Sequence, residues 1–171
     1  MLKSLFRRRS DPRAHLLPLY QSCVQAARAE HWYIQGQVPD TLDGRFDMLV
    51  AVLSMVLLRL EDEAKPQESV WLTELFVEDM DGNLRQMGIG DLIVGKHIGK
   101  MMSALGGRTA AYRAALEDTA PQPLRDALLR NLYRGEAPAE EAIDHVAARL
   151  RESWQELRMV PVSALLEGGL A

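Results

Sequence analysis

The sequence is nearly free of cysteine and carries no excess of basic residues. Cys23 is the single cysteine among 171 residues, so an intramolecular disulfide and a cysteine-based zinc site are both excluded. So little cysteine fits a reducing compartment. Lysine and arginine number 20 against 24 aspartates and glutamates, which gives a net charge of −4. Because DNA binding requires a basic face, we expect no DNA partner.

Long hydrophobic runs are also absent. The longest, MLVAVLSMVLL at residues 48–58, would rise about 16 Å as a helix, roughly half the hydrocarbon thickness of a bilayer. It therefore predicts a buried core helix and not a membrane span. No stretch alternates apolar and polar residues as a half-buried strand does. The pattern is helical throughout, which predicts an all-α fold.

The glycines of GIGDLIVGKH, residues 88–97, imitate a nucleotide-binding P-loop. From Gly90 the spacing ends in Gly-Lys, but His97 stands where a Ser or Thr must hold Mg²⁺. The segment before it is charged and lacks the β-branched run of a buried strand. We therefore expect no nucleotide. The glycines instead predict a helix end and a tight turn, with Gly95 allowing two helices to approach closely.

Residues able to catalyse a reaction or hold a metal form no known pattern. The four histidines show neither i, i+4 pairing nor an H-E-x-x-H motif, and Cys23 lies on an apolar helical stripe with no neighbouring base. These observations predict a protein that is not an enzyme and has no cofactor or metal. A small all-α enzyme, or a carrier of a quinone-like lipophilic molecule, is the alternative.

Proline, glycine and capping residues divide the chain into helices. They predict one helical domain over residues 11–160, preceded by a basic arm at residues 1–10 and followed by a short tail at residues 161–171. The domain is expected to be an irregular bundle of about six helices around a central apolar helix at residues 42–62. The other predicted helices run from Pro12 to about Trp32, from a cap at Ser69 through Met80, from Val94 through Leu116 with an interruption at Gly106 and Gly107, through residues 124–134, and from Ala139 to Arg158.

Charge is unevenly distributed along these helices. Glu74, Glu78 and Asp81 form an acidic row at helical spacing, which is interpreted first as a solvated face and alternatively as a partner-binding face. A run of basic residues with no acid between them follows in the next helix: Lys96, Lys100, Arg108 and Arg113.

Two long stretches resemble one protein family. They are GQVPDTLDGRFDML, residues 36–49, and FVEDMDGNLRQMGIGDLIVGKHIGKMMSALGGRTAAYRAAL, residues 76–116. In this order they resemble the ubiquinol–cytochrome c chaperone family, over roughly residues 15–117 of this chain. Motifs this long and ordered are much more specific than a lone glycine pattern. No resemblance is found after Pro121, so the last third is expected to be lineage-specific.

The resemblance implies an assembly factor for the respiratory cytochrome bc1 complex, helical and not enzymatic, that binds newly made cytochrome b. Because an Arg- and Ser-rich presequence is absent, the chain looks more like a bacterial member that works in the cytoplasm, at the inner face of the inner membrane. The basic arm, residues 1–10, is a candidate contact with the ribosome or with the membrane surface.

A client that is a membrane protein requires a tolerant apolar groove with a polar rim. The segment from Val94 to Arg113 best combines apolar, small and basic residues, although ordinary core packing is the alternative for the same stripe. The expected partner-binding residues are Lys96, Lys100, Met101, Met102, Leu105 and Arg108.

The remaining residues of the family-like stretches are expected to be architectural. Asp40 and Asp43 are expected to accept hydrogen bonds from backbone N–H groups at the start of the central helix, with Thr41 as the alternative cap. Arg45 is expected to reach a carboxylate such as Asp47 or Asp91. The full architectural set is Pro39, Asp40, Asp43, Gly44, Arg45, Asp47, Asp79, Asn83, Gly88, Gly90 and Asp91.

Overall fold

Helices make up all the regular secondary structure of residues 11–170, the part of the chain that the computed structural model describes. Six of the α-helices in this part have eleven residues or more, in agreement with the predicted bundle of about six. The basic arm predicted at residues 1–10 lies outside the described residues. After a 3-10 turn at Ala14–Leu16 come α1 (Leu17–Ala27), α2 (Glu30–Ile34), α3 (Leu42–Asp62), α4 (Pro66–Gln86), α5 (Asp91–Glu117), α6 (Pro121–Asn131), α7 (Glu140–Met159) and α8 (Val162–Leu166).

The central helix α3 has the boundaries that the sequence predicts. Every residue at positions 47–56 is buried, because the helix packs against α1, α4, α5 and α7 at once. At its N-terminus the Thr41 Oγ1 accepts a hydrogen bond from the Gly44 N–H at 3.1 Å, which satisfies one of the free amides of the first turn. The prediction of an all-α bundle around this helix is confirmed.

The first predicted helix is broken at Ala29, whose extended backbone separates α1 from α2. Two aromatic side chains of α2 satisfy carbonyls freed at the end of α1. Trp32 Nε1 donates to the Ala26 oxygen at 2.8 Å, and the Tyr33 hydroxyl donates to the Ala27 oxygen at 2.8 Å. These hydrogen bonds hold α2 against α1, and helical periodicity alone does not reveal such a turn.

Two predicted helix features differ from the structure. α4 begins at Pro66, so Ser69 lies inside its first turn, where the Oγ donates to the Lys65 carbonyl at 3.1 Å instead of capping the helix. α5 runs without interruption through Gly106 and Gly107. The packing of the flanking residues of α5 outweighs the low helix propensity of glycine there.

The end of the chain packs against its beginning. The short tail expected after residue 160 contains α8, in which Leu165 is fully buried. The Ser22 Oγ on α1 donates to the Gly168 carbonyl at 2.8 Å. The described part of the tail is therefore part of the domain's core packing.

Two glycines of this fold predict opposite responses to alanine. A Cβ at Gly44 would clash with the Pro39 carbonyl oxygen, whereas a Cβ at Gly107 would meet nothing within 4 Å. We expect Gly44→Ala to destabilise the protein by about 1–3 kcal/mol through overpacking. Gly107→Ala should stabilise it by about 0.5–1 kcal/mol, since alanine loses less backbone entropy in a helix. Thermal unfolding followed by circular dichroism measures both, and an unchanged melting temperature for Gly44→Ala would contradict this packing.

Candidate functional site

An apolar groove of about 1440 Å³ lies between α4 and α5 and extends to the C-terminal end of α3. On α4, Val70, Thr73 and Val77 recur at i, i+3 and i+7, so they share the face that borders the groove. Val70 is half exposed, so the groove is open to solvent. The sequence analysis did not predict that α4 forms a wall of the groove, although the spacing of these three residues indicates a shared helix face. The principal apolar lining residues are Leu57, Val70, Val77, Ile98, Met102 and Leu105.

Two glycines of α5, Gly95 and Gly106, also line the groove. A Cβ at either position would meet nothing within 4 Å. The prediction that Gly95 allows two helices to approach closely is therefore wrong. The missing side chains instead leave the groove wide along the α5 wall.

Charged side chains form the rim of the groove. The Arg13 guanidinium lies 3.1 Å from Glu78 and 3.8 Å from Glu74, both on α4, and Arg113 pairs with Glu61 across α5 and α3. The acidic row of α4 is therefore solvent-exposed and, at the same time, part of the groove. The seven charged rim residues are Arg13, Glu61, Lys65, Glu74, Glu78, Asp81 and Arg113.

The three hydroxyl side chains that line the groove all donate within their own helices. Ser69 donates to the Lys65 carbonyl at 3.1 Å, Thr73 donates to the Ser69 carbonyl at 2.8 Å, and Thr109 donates to the Leu105 carbonyl at 2.8 Å. Their protons are thus committed to backbone oxygens. A small polar ligand requires a few convergent polar groups, which this lining does not offer. An apolar chain segment, which needs contact area and a charged edge, fits the lining better.

The apolar residues expected to bind a partner lie in two places. Met102 and Leu105 line the groove, with Met102 half-buried and Leu105 almost fully buried. Met101 is half-buried and packs against the hydrophobic core instead. The stripe therefore serves both of the predicted purposes, core packing and a binding groove. Met101 faces the core, and Met102 and Leu105 line the groove.

The basic residues of the same stretch are also divided. Lys96 and Lys100 are exposed on α5 but do not line the groove. Arg108 turns away from the groove: its side chain is 14% exposed, pairs with Asp47 and lies 5.7 Å over the Phe46 ring. Arg108 is therefore not part of the rim, and the prediction that it is a partner-binding residue at the rim is wrong. Charge along α5 alone does not reveal the pairing, because the acidic partner, Asp47, lies on α3.

Asp47 is the buried centre of an ionic network. It is 0% exposed and accepts hydrogen bonds from Arg108 Nη1 at 2.5 Å and from Arg134 Nε at 2.6 Å. Two guanidinium groups are needed because a buried carboxylate without partners is strongly destabilising. The network joins α3 to α5 and to the connection between α6 and α7.

The neighbouring charges of this segment do not pair as the sequence predicts. Arg45 Nε donates to Asp40 at 2.6 Å and not to Asp47, and this guanidinium lowers the pKa of the Asp40 carboxyl below its usual value. Asp43 accepts from Arg134 at 2.6 Å and does not cap α3. Each expected residue nevertheless makes a contact within the chain, which supports the architectural interpretation of the segment.

Asp79 connects α4 to α1. Its carboxylate accepts from the Tyr20 hydroxyl at 2.7 Å and from Asn83 Nδ2 at 3.2 Å. Burial of the ring, assisted by this carboxylate, raises the pKa of Tyr20 well above its usual value. The α4 wall of the groove is thereby tied to α1, which packs directly against it.

The turn between α4 and α5 contains the P-loop-like glycines. Gly88 has φ +80°, a left-handed conformation that ends α4, and Gly90 is the N-cap residue of α5. Arg85 pairs with both Asp81 and Asp91 across this turn. The segment connects two helices, α4 and α5. A P-loop instead requires a strand that leads into the loop.

Other kinds of site are poorly supported in residues 11–170. The His31 Nδ1 and His145 Nε2 atoms lie 3.1 Å apart, and burial, followed by His145 and Arg149, lowers the pKa of His31. Nowhere in this range do three or more His, Cys, Asp or Glu side chains come together as metal ligands. None of the described helices combines the length and the apolar character needed to cross a membrane.

Residues 11–170 form an all-helical fold with an open apolar channel between two long helices, α4 and α5. The family model described as ubiquinol-cytochrome C chaperone matches residues 35–171, and the chain belongs to this family. The match includes everything after Pro121, so the expectation of a lineage-specific last third is wrong. That third supplies partners for the earlier segments, such as the Tyr133 hydroxyl, which donates to the Gly36 carbonyl at 2.6 Å.

A solved structure is similar over nearly the whole chain. The crystal structure of the Cbp3 homolog from Brucella abortus superposes with a TM-score of 0.80 and shares 33% sequence identity. The alignment covers 92% of this chain and 88% of that chain. No curated protein gives a significant match.

The ionic network predicts a sharp difference between two aspartates. Asp47→Ala leaves the mostly buried Arg108 without its partner and should cost about 3–5 kcal/mol, which lowers the melting temperature by roughly 10 °C. Asp43→Ala removes an exposed ion pair to Arg134 and should cost less than about 1 kcal/mol. Thermal unfolding of both variants tests this, and equal losses of stability would show that Asp47 does not hold the helices together.

Proposed function

We propose that this chain is an assembly factor without enzymatic activity that binds newly made cytochrome b during assembly of the ubiquinol–cytochrome c reductase (bc1) complex. Its membership of the family supports the chaperone role. A nascent membrane protein presents long apolar helices flanked by charged loops. Such helices bind in grooves through apolar anchors at helical spacing, and the groove between α4 and α5 has the matching surface.

The observation that carries this proposal is the chemistry of the groove lining. Apolar side chains form the floor, charges stand only at the rim, and the hydroxyls of Ser69, Thr73 and Thr109 are bonded to backbone oxygens. A carrier of a quinone-like molecule would need an enclosed cavity with convergent polar groups. The open lining favours a protein segment as the occupant.

Different residues then serve different parts of the client. Met102 is an unbranched thioether that adapts to irregular apolar surfaces, and Leu105 forms the floor beside it. Lys96 and Lys100 lie on the exposed surface of α5, where they are placed to meet acidic groups of the client's loops. Met101 and Arg108 support these residues from the core side.

We place the protein in the cytoplasm of a bacterium, at the inner face of the inner membrane, where cytochrome b is inserted. The basic arm, residues 1–10, is proposed to contact the ribosome or the membrane surface, since four cations without an acid are attracted to anionic surfaces. No role for DNA or a nucleotide is proposed.

A site-specific photo-crosslinker tests the client and its binding surface together. A benzophenone amino acid is placed at Met102 or at Glu78, which line opposite walls of the groove, in cells that make cytochrome b. The matched control is Met159, a methionine of α7 that is 83% exposed and lies outside the groove. We expect cytochrome b to be captured from both groove positions and not from Met159.

Two outcomes would contradict the proposal. Capture from Met159 as efficient as capture from Met102 would show that the groove is not the binding surface. Absence of cytochrome b from both groove positions, in cells where the variants still support bc1 assembly, would exclude cytochrome b as the client of this groove.

A further inference from the structure

The charged rim of the groove is polarised along its length. α4 and α5 are consecutive helices joined by a short turn, so they run antiparallel, and the groove between them has one end at this turn and the other at the start of α4. Three lining carboxylates, those of Glu74, Glu78 and Asp81, lie on the C-terminal part of α4, towards the turn. These three residues define the acidic half of the groove.

One guanidinium is not enough to neutralise the acidic half. Within residues 11–170, Arg13 is the only cation that lines it. The Arg13 guanidinium lies 3.1 Å from Glu78 and 3.8 Å from Glu74, and it is closer still to Asp11, at 2.7 Å. The Glu74 and Glu78 side chains are 52% and 66% exposed, so both carboxylates remain accessible to further cations. This half of the groove therefore attracts basic groups.

The other basic residues near the turn do not change this balance inside the groove. Arg85 pairs with Asp81, but its guanidinium is shared with a second carboxylate, that of Asp91. Lys96 and Lys100 are exposed on α5 and do not line the groove. The surface that a bound helix would meet in the acidic half is therefore negative.

The opposite end of the groove has the opposite balance of charge. Lys65 directly precedes α4, Arg113 lies near the end of α5, and both line the groove there. The carboxylate that lines this end, Glu61, pairs with Arg113 and leaves the ammonium group of Lys65 in excess. We call this the basic end of the groove.

The distance between the charged parts matches the length of an apolar helix. About 24 Å separates Lys65 from Asp81 at the rise of α4. A transmembrane helix of about 20 residues is about 30 Å long, so the apolar lining contacts most of such a helix, and the residues beyond its apolar core reach the charged rim. On the cytoplasmic side of a membrane protein these flanking residues are enriched in lysine and arginine.

We propose that the groove selects an apolar helix with lysines or arginines at one end and binds it in a single direction. The basic end of this helix lies beside Glu74, Glu78 and Asp81, and its other end lies beside Lys65. A client helix is therefore held with its cytoplasmic flank towards the turn between α4 and α5. This selection rests on the proposed function of the groove as the client's binding site.

The charge preference is measured with the purified full-length chain and two fluorescent helical peptides. Both have an apolar core of about sixteen leucine and alanine residues, which spans the distance between the charged parts. One peptide has lysines at one end, and the other has glutamines at the same positions. We expect the lysine peptide to bind about tenfold more tightly at low ionic strength, because the acidic half attracts it. This preference should decrease as salt is added.

A pair of charge-reversal variants locates the preference. Glu74→Lys with Glu78→Lys should abolish or invert it. The matched control is Glu152→Lys with Glu156→Lys, since these two exposed glutamates have the same spacing on α7 and lie outside the groove. The control variant should retain the tenfold preference.

The direction of binding is determined with a benzophenone amino acid at one end of the lysine peptide. From the lysine end we expect adducts on Ile98 and its neighbours, and from the lysine-free end we expect adducts on Val70 and its neighbours. Equal reaction of both peptide ends with both positions would overturn the single direction.

Two results would overturn the selection by charge. These are equal affinities for the lysine and glutamine peptides, and a preference that persists in the Glu74→Lys, Glu78→Lys variant. Absence of binding by either peptide would overturn this proposal together with the role of the groove as a helix-binding site. These measurements use no cytochrome b, so a failure to capture cytochrome b in cells is a separate result that concerns the identity of the client.

Discussion

A carboxylate with no solvent exposure, Asp47, lies between the guanidinium groups of Arg108 and Arg134, and much of the bundle depends on this contact. Removing a charge from water is costly, and the cost is offset only when the partners are close and well oriented. Both arginines therefore have to lie beside Asp47 of α3 in the folded protein. Since one is on α5 and the other follows α6, the contact determines where both helices pack.

The groove is a consequence of this arrangement. The side of α5 that contains Arg108 is held against α3, and a hydrogen bond of 3.0 Å between Ser54 and Thr109 reinforces the same pairing. Met102 and Leu105 then face the space beside α4. On the other wall, Asp79 ties α4 to Tyr20 of α1. Both walls are thus fixed by polar contacts on their inner sides, which leaves the channel between them open and already formed.

Local sequence predicts some of this structure accurately. The boundaries of α3 follow from an apolar run that is hydrophobic nearly all round and from a capping threonine directly before it. Gly88 is recognisable as a helix end because glycine tolerates positive φ. These are properties of neighbouring residues, and neighbouring residues are what a sequence pattern records.

The features that the sequence does not reveal depend on distant residues. The sequence around Arg108 contains no acid and therefore predicts a free rim residue, whereas its partner, Asp47, lies 61 positions away. Gly106 and Gly107 predict an interruption of α5, but packing keeps the helix intact. The α4 wall was missed because its acidic row was interpreted apart from the apolar residues beside it. In each case the outcome depends on which helices pack against each other, and the local sequence does not record this.

Two adjacent glycines allow the central claim to be tested directly. A side chain at Gly106 would project into the groove and one at Gly107 would not, and a Cβ at either position meets nothing within 4 Å. The measurement is the amount of cytochrome b that co-purifies with each chain from native membranes, read by quantitative mass spectrometry. The account predicts a several-fold loss for Gly106→Phe and no loss for Gly107→Phe, with thermal unfolding used to check that both variants are folded. Equal recovery of cytochrome b with both variants would contradict it.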